Sequence, residues 1–275
     1  MLIDTHVHLN DEQYNDQLDN VINESINYGT ICFCVMGCDY ESSLKAINIA
    51  KKYNGSLING KQIECFAFVG IYPGEILKNQ YSDNPDNIEW IKDLYLNNKD
   101  VVKGIGEIGI DLYWDKTYKE EQIAFFKSQL NLASNLNLPV SIHAREATQI
   151  TLDILKEYKG KVKGVMHCYS GSVEIAKEIE KIGFKLGIGG VLTYKNTKLV
   201  DVINELDLSA FVTETDGPYL SPSPFRGKIN KPGYIKYVVD KICEIKKLDY
   251  DTVEKILENN AREIFNLRRS EIWEE

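Results

Sequence analysis

The 275-residue chain contains four histidines, and their placement is the first pointer to chemistry. His6 and His8 flank Val7 after an apolar run, His143 closes the run Pro139–His143, and His167 closes Gly164–His167. Each run reads as a strand, so all four imidazoles fall at strand carboxyl ends. Residues i and i+2 of a strand point to the same side, so His6 and His8 can share one ion. Two acids take matching positions, Glu107 at the end of a fourth strand and Asp216 at the end of an eighth. Six such ligands exceed the needs of one tetrahedral ion. A bridging carboxylate can instead hold two ions about 3.5–4 Å apart, an arrangement suited to hydrolysis. The candidate metal ligands are therefore His6, His8, Glu107, His143, His167 and Asp216. Asp216 and Glu107 are the candidate catalytic groups, with Asp216 able to accept the proton of an attacking water. Imidazole and carboxylate together suit Zn²⁺, Mn²⁺, Fe²⁺ or Co²⁺ better than an all-oxygen Mg²⁺ site.

The elements that must position these groups follow from the pattern of apolar runs. Strands are expected at Leu2–Val7, Thr30–Met36, Glu64–Gly70, Val101–Ile108, Pro139–His143, Gly164–His167, Lys185–Gly189 and Phe211–Glu214. Helical periodicity falls between them, at about Asp16–Tyr28, Glu41–Tyr53, Asn87–Leu96, Lys119–Asn135, Ala147–Tyr158, Val173–Ile182 and Thr197–Glu205. Eight strands, nearly every one followed by a helix, imply a closed (β/α)₈ TIM barrel, with an open doubly wound sheet as the alternative. No linker, low-complexity tract or strong repeat divides the chain, so residues 1–275 read as one barrel domain. Extra helices follow strand eight, at about Gly233–Lys246 and Asp251–Phe265, and their apolar spacing reads as core. Barrel active sites form at the strand carboxyl ends, where all four histidines lie.

Composition narrows the function classes. Lys and Arg number 32 against 41 Asp and Glu, a net charge of −9, which disfavours a protein that coats nucleic acid. Six cysteines are too sparse for a disulfide scaffold. Cys32, Cys34 and Cys38 lie close together, but Ile31-Cys-Phe-Cys-Val reads as a buried strand, and core thiols are expected. No run approaches the roughly 20 apolar residues of a membrane span, and the start of the chain lacks a secretory pattern. A cytoplasmic protein without membrane contact or an obligate protein partner is expected.

Two stretches are irregular. Asn79–Asp86 reads as a surface loop, and 216–232 follows strand eight with four of the seven prolines. The second carries Arg226, Lys228, Asn230 and Lys231, a local basic cluster on an acidic protein that can still focus phosphate. With Arg145, two residues past His143, these make Arg145, Arg226, Lys228 and Asn230 the candidate substrate contacts. Tyr113, Trp114, Tyr169, Tyr219 and Phe225 lie in the same loops and are candidates to stack nucleobases. Glycines 104, 106 and 109 also spell a dinucleotide fingerprint. It is rejected, because that motif opens directly into a helix and here a buried acid occupies the turn.

The strings DTHVHL, GEIGID, SIHAR, HCYSG and ETDGPYL, in this order, resemble the TatD-type metal-dependent deoxyribonucleases over residues 2 to about 265. The resemblance implies an amidohydrolase-type TIM barrel with two divalent ions per chain, Zn²⁺, Mn²⁺ or Mg²⁺. It also implies a pairing, with His6, His8 and Asp216 on one ion, His143 and His167 on the other, and Glu107 between them. The activity it implies is DNA phosphodiester hydrolysis, on single-stranded or frayed ends, of which 3′–5′ exonucleolysis is one form. Related barrels cleave esters or amides, including D-aminoacyl-tRNA, and a non-catalytic binder is a further alternative. The chain departs from the family at Tyr72, where histidine is usual, and at Lys231, where glutamate is usual.

Overall fold

Eight parallel strands form one sheet among the described residues, which in this computed structural model are 1–76, 84–114 and 116–267. They are β1 (Leu2–Val7), β2 (Thr30–Met36), β3 (Glu64–Val69), β4 (Val102–Asp111), β5 (Val140–Arg145), β6 (Gly164–Met166), β7 (Lys185–Ile188) and β8 (Phe211–Thr213). Each pairs with the next in sequence. Most of the expected loop Asn79–Asp86 and the end of the charged tail lie outside the described residues.

Side chains alternate across the wall. In β2, Cys32, Cys34 and Met36 share an apolar cluster with Phe66 and Phe68 of β3, whereas Ile31, Phe33 and Val35 join the cluster that the helices cover. A parallel sheet with both faces buried needs apolar residues at nearly every position, and β2 is buried throughout. The covering helices are α1 (Leu18–Asn27), α2 (Tyr40–Tyr53), α3 (Glu89–Asn97), α4 (Lys119–Leu136), α5 (Thr148–Glu157), α6 (Val173–Lys181), α7 (Leu199–Glu205) and α8 (Ile235–Lys246). Capping fixes where α2 begins: Asp39 and Ser42 exchange side-chain-to-backbone bonds in a capping box.

A last helix, α9 (Tyr250–Phe265), closes the floor of the barrel. Ala261, Ile264 and Phe265 enter the interior cluster, with the Phe265 ring 4.6 Å from that of Phe68. Arg262 binds both oxygens of Glu64, the first residue of β3, and also Glu258, which pins α9 to the amino ends of the strands. No helix among the described residues is long and apolar enough to cross a membrane.

The seam between β1 and β8 lies at the opposite end. Val7 bridges Gly217, His8 N–H donates to the Gly217 carbonyl at 2.8 Å, and Asp216 N–H donates to the His6 carbonyl at 3.0 Å. Sealing the barrel is thus the same event that brings Asp216 against His6 and His8.

Strand four is longer than the sequence suggests. After a register shift between Ile105 and Ile108, β4 resumes pairing with β5 through Gly109–His143, Ile110–Ala144 and Asp111–Arg145. Gly109 makes this possible: at φ 141° its hypothetical Cβ would stand 2.0 Å from the His143 carbonyl oxygen. Glu107 accordingly lies within the strand, and Asp111 at its end.

Candidate metal centre

The four histidines, Glu107 and Asp216 meet at the carboxyl ends of the strands as two donor sets. In the first, His6 Nε2 and His8 Nε2 are 3.2 Å apart. Asp216 Oδ1 stands 3.7 and 3.5 Å from them, and Glu107 Oε2 stands 3.6 and 3.4 Å from them. Nitrogen ligands about 2.0–2.1 Å from a tetrahedral ion define edges of about 3.3–3.4 Å, so this spacing fits a divalent cation. In the second set, His143 Nδ1 and His167 Nε2 are 3.1 Å apart, and Glu107 Oε1 lies 3.0 and 2.8 Å from them. Glu107 therefore offers one oxygen to each set. Cys38 Sγ is a further potential donor at the edge of the first, 3.9 Å from both His8 Nδ1 and Glu107 Oε2.

Each imidazole turns its other nitrogen toward a further polar group. His6 Nδ1 meets Ser141 Oγ at 2.9 Å and His8 Nδ1 meets Cys38 Sγ. His143 Nε2 donates to Asp111 Oδ2 at 3.0 Å, and His167 Nδ1 faces Glu214 Oε1 at 3.6 Å. Outer partners of this kind fix ring orientation and tautomer in metal sites. Asp4, fully buried, joins the seam by accepting from Thr215 N–H and Oγ–H and from His6 N–H.

The charged groups of the cluster shift one another's proton affinities. Burial alone would raise Glu107, but the charge on His167 and hydrogen bonds from His143, His167 and His6 hold it well below the usual carboxylate range. Asp216 is lowered in the same way, burial being outweighed by the hydrogen bond from His8 and the charges of His167, His6 and His8. Burial would lower His167, yet Glu107 and Glu214 push it well above its ordinary value. His8 and His143 are raised against burial by Asp216 and Glu107, and by Asp111 and Glu107. His6 goes the other way, lowered by burial and by the charge on His167. Imidazoles pushed toward retaining a proton around carboxylates pushed toward ionisation suit a site that exchanges protons for cations.

The structure treats the expected substrate contacts unequally. Arg145 is exposed at the rim, its guanidinium 3.7 Å from the Tyr113 ring centroid and 5.4 Å from that of Trp114. Arg226 and Lys228 are exposed on the loop after β8, with Arg226 4.3 Å from the Tyr194 ring centroid. Asn230 is a correction: it is fully buried and cannot face a substrate. Its amide donates to the Thr215 and Tyr219 carbonyls and its oxygen accepts from Lys231 N–H, so it braces the loop from inside. Lys231 leaves the basic cluster by pairing with Glu24 at 2.6 Å.

Two aromatic expectations change as well. Tyr169 is buried and donates to the Ser172 carbonyl, and Phe225 stacks on Tyr234 at 4.1 Å. Tyr113, Trp114 and Tyr219 remain exposed. Cys38, expected in the core, is instead half-buried at the centre. Sequence reasoning also missed Asp111, Glu214, Ser141 and Asp4. Asp111 and Glu214 stand inside GEIGID and ETDGPYL, beside residues that were read as ligands, and Asp4 opens DTHVHL.

A family model described as TatD related DNase matches residues 3–266. An uncharacterized metal-dependent hydrolase of Bacillus subtilis, YabD, is 37% identical over 269 residues, covering 97% of this chain and all of the relative. The crystal structure of the TatD homologue YjjV from Escherichia coli superposes with a TM-score of 0.87 at 27% identity, covering 97% of this chain and 98% of that one. A TatD family hydrolase from Entamoeba histolytica shares the fold, with a TM-score of 0.81 at 23% identity over 96% of this chain and 97% of that one.

Proposed function

The chain belongs to the TatD-related DNase family and is a metal-dependent hydrolase; from that premise we propose that its substrate is DNA, cleaved at phosphodiester bonds with two divalent ions. The observation that carries this reading is Glu107, whose two carboxylate oxygens face two separate donor sets. Such ions, when bound, activate a water and offset charge on the phosphate and leaving group. His6, His8 and Asp216 would hold one and His143 and His167 the other, with Glu107 shared.

Exposure separates the two carboxylates. The Asp216 side chain is 16% exposed and that of Glu107 4%, so Asp216 can meet solvent and take the proton of an attacking water. Glu107 is held within the cluster, a position that suits a bridge. Asp216 is set at that angle by a left-handed backbone, φ 55°, three residues past the end of β8.

Cationic side chains at the rim supply the substrate contacts. Arg145, stacked with Tyr113 beside Trp114, provides a guanidinium for phosphate and an aromatic face for a base. Across the loops after β7 and β8, a groove of about 590 Å³ is lined by Tyr194, Lys195, Ser223 and Arg226, a second surface for an anionic strand. Local charge of this kind captures a polyanion transiently despite a net −9.

The test joins metal analysis to digestion of end-labelled single- and double-stranded DNA, with and without chelator, and a carboxylic ester assayed in parallel. Chelator-sensitive release of labelled fragments is expected, and the label that is lost first gives the polarity. His143→Ala and His167→Ala should each remove most turnover while leaving the fold intact, as read by circular dichroism. An ester hydrolysed far faster than any DNA would overturn the assignment.

A further inference from the structure

The proposed reaction gives Tyr72 no task. Its hydroxyl donates to Asp111 Oδ2 at 3.0 Å, and the same oxygen accepts from His143 Nε2 at 3.0 Å. The other carboxylate oxygen, Oδ1, accepts from the Tyr113 N–H at 2.9 Å. Gln122 brackets the Asp111 backbone, its Oε1 accepting from Asp111 N–H and its Nε2 donating to the Asp111 carbonyl. Asp111 is 3% exposed, and the Tyr72 ring meets the His143 ring edge-on at 5.0 Å. This assembly touches the Nε2 side of His143, whereas Nδ1 faces Glu107 and His167.

We propose that Tyr72 and Asp111 are positioning residues for the second ion, holding the His143 proton on Nε2 so that Nδ1 presents a lone pair to the metal. The inference rests on the two-ion reading above. A carboxylate only accepts, so the imidazole nitrogen that touches Asp111 must be the one that donates. Tyr72 adds a second donor to the same oxygen and fixes the plane of the carboxylate. A phenol carries no positive charge and so leaves the charge of Asp111 to act on His143.

The backbone N–H of Tyr113 makes the arrangement directional. In Asp111→Asn, the amide oxygen must take the position facing that fixed donor, which turns the NH₂ toward His143. Nε2 must then accept, the imidazole proton moves to Nδ1, and the face offered to the ion is closed. Tyr72→Phe removes one donor from Asp111 without reversing this polarity.

Calorimetric titration of the metal-free protein with Mn²⁺ reads the binding steps, and ¹⁵N NMR at a pH where the imidazole is neutral reads the His143 tautomer. The wild type should show two binding steps and a proton on Nε2. Tyr72→Phe should weaken one step about tenfold and Asp111→Asn the same step by about tenfold to a hundredfold, the range for outer partners of metal ligands. The other step should be unchanged, the Asp111→Asn proton should appear on Nδ1, and the double variant should be no weaker than Asp111→Asn alone. A wild-type proton on Nδ1 would overturn the proposal, as would a Tyr72→Phe variant that weakens both steps equally or neither. Binding of one ion per chain would remove the two-ion reading and this inference with it, whereas two ions with an unaffected Tyr72→Phe would remove the inference alone. Failure to cleave DNA leaves both readouts intact.

Discussion

At the scale of single residues, the ligand set was readable because its members are rare types at strand ends. Four histidines are the whole supply of the chain, and all sit at the barrel mouth. The groups behind them were not readable in the same way. Asp111, Glu214, Ser141 and Cys38 gain their roles from which nitrogen of which ring they meet, and that depends on cross-strand register. Proton balance gives a prediction at this scale. Glu107 and Asp216 are depressed in the folded, metal-free protein, so their stabilisation is present above about pH 4.5 and lost as pH falls through their lower folded values. His8, His143 and His167 are raised, so theirs is complete below about pH 6.5 and lost as pH rises through their higher folded values. Divalent ions replace those protons, so the rise in Tm on adding Mn²⁺ should be larger at pH 8 than at pH 6. Melting curves at the two pH values decide it, and a gain that shrinks toward pH 8 contradicts the proton-for-ion exchange.

At the scale of elements, the strand and helix order was legible because apolar runs and amphipathic stretches alternate without interruption. The end of β4 was not, because Gly109 and the shift after Ile105 let pairing with β5 resume at Ile108 and run three residues beyond the expected stop. That extension is what delivers Asp111 to His143. The loop after β8 shows the opposite failure. Its basic cluster makes Asn230 a candidate substrate contact, yet Asn230 points inward and spends its amide on the Thr215 and Tyr219 carbonyls. Asn230→Ala should cost about 2–3 kcal/mol, since it leaves buried backbone groups without partners. Lys228→Ala on the exposed side of the loop should stay within about 0.5 kcal/mol. Urea unfolding of the two variants makes the comparison, and equal losses would show that the loop is not braced from within.

At the scale of the whole molecule, the barrel separates its tasks between two ends. The mouth gathers polar and charged groups, and the floor is an apolar plug of Phe68, Ile264 and Phe265 sealed by the Arg262–Glu64 pair. Phe265→Ala should therefore cost about 3–5 kcal/mol, in the range for buried aromatic truncations. Turnover per folded molecule should remain unchanged, because the plug lies at the far end from the centre. Denaturant titration beside an activity assay at low temperature checks both halves, and a selective loss of turnover would tie floor and mouth together. The plug also imposes an order in time. Strand β1 leaves the ribosome before the other strands, but the helix that stoppers its amino end is made some 250 residues later. A nascent chain short of residue 250 would expose the underside of the barrel, with Ile3, Phe66 and Phe68 open to water. Such a chain is a natural client for chaperones until α9 has been made.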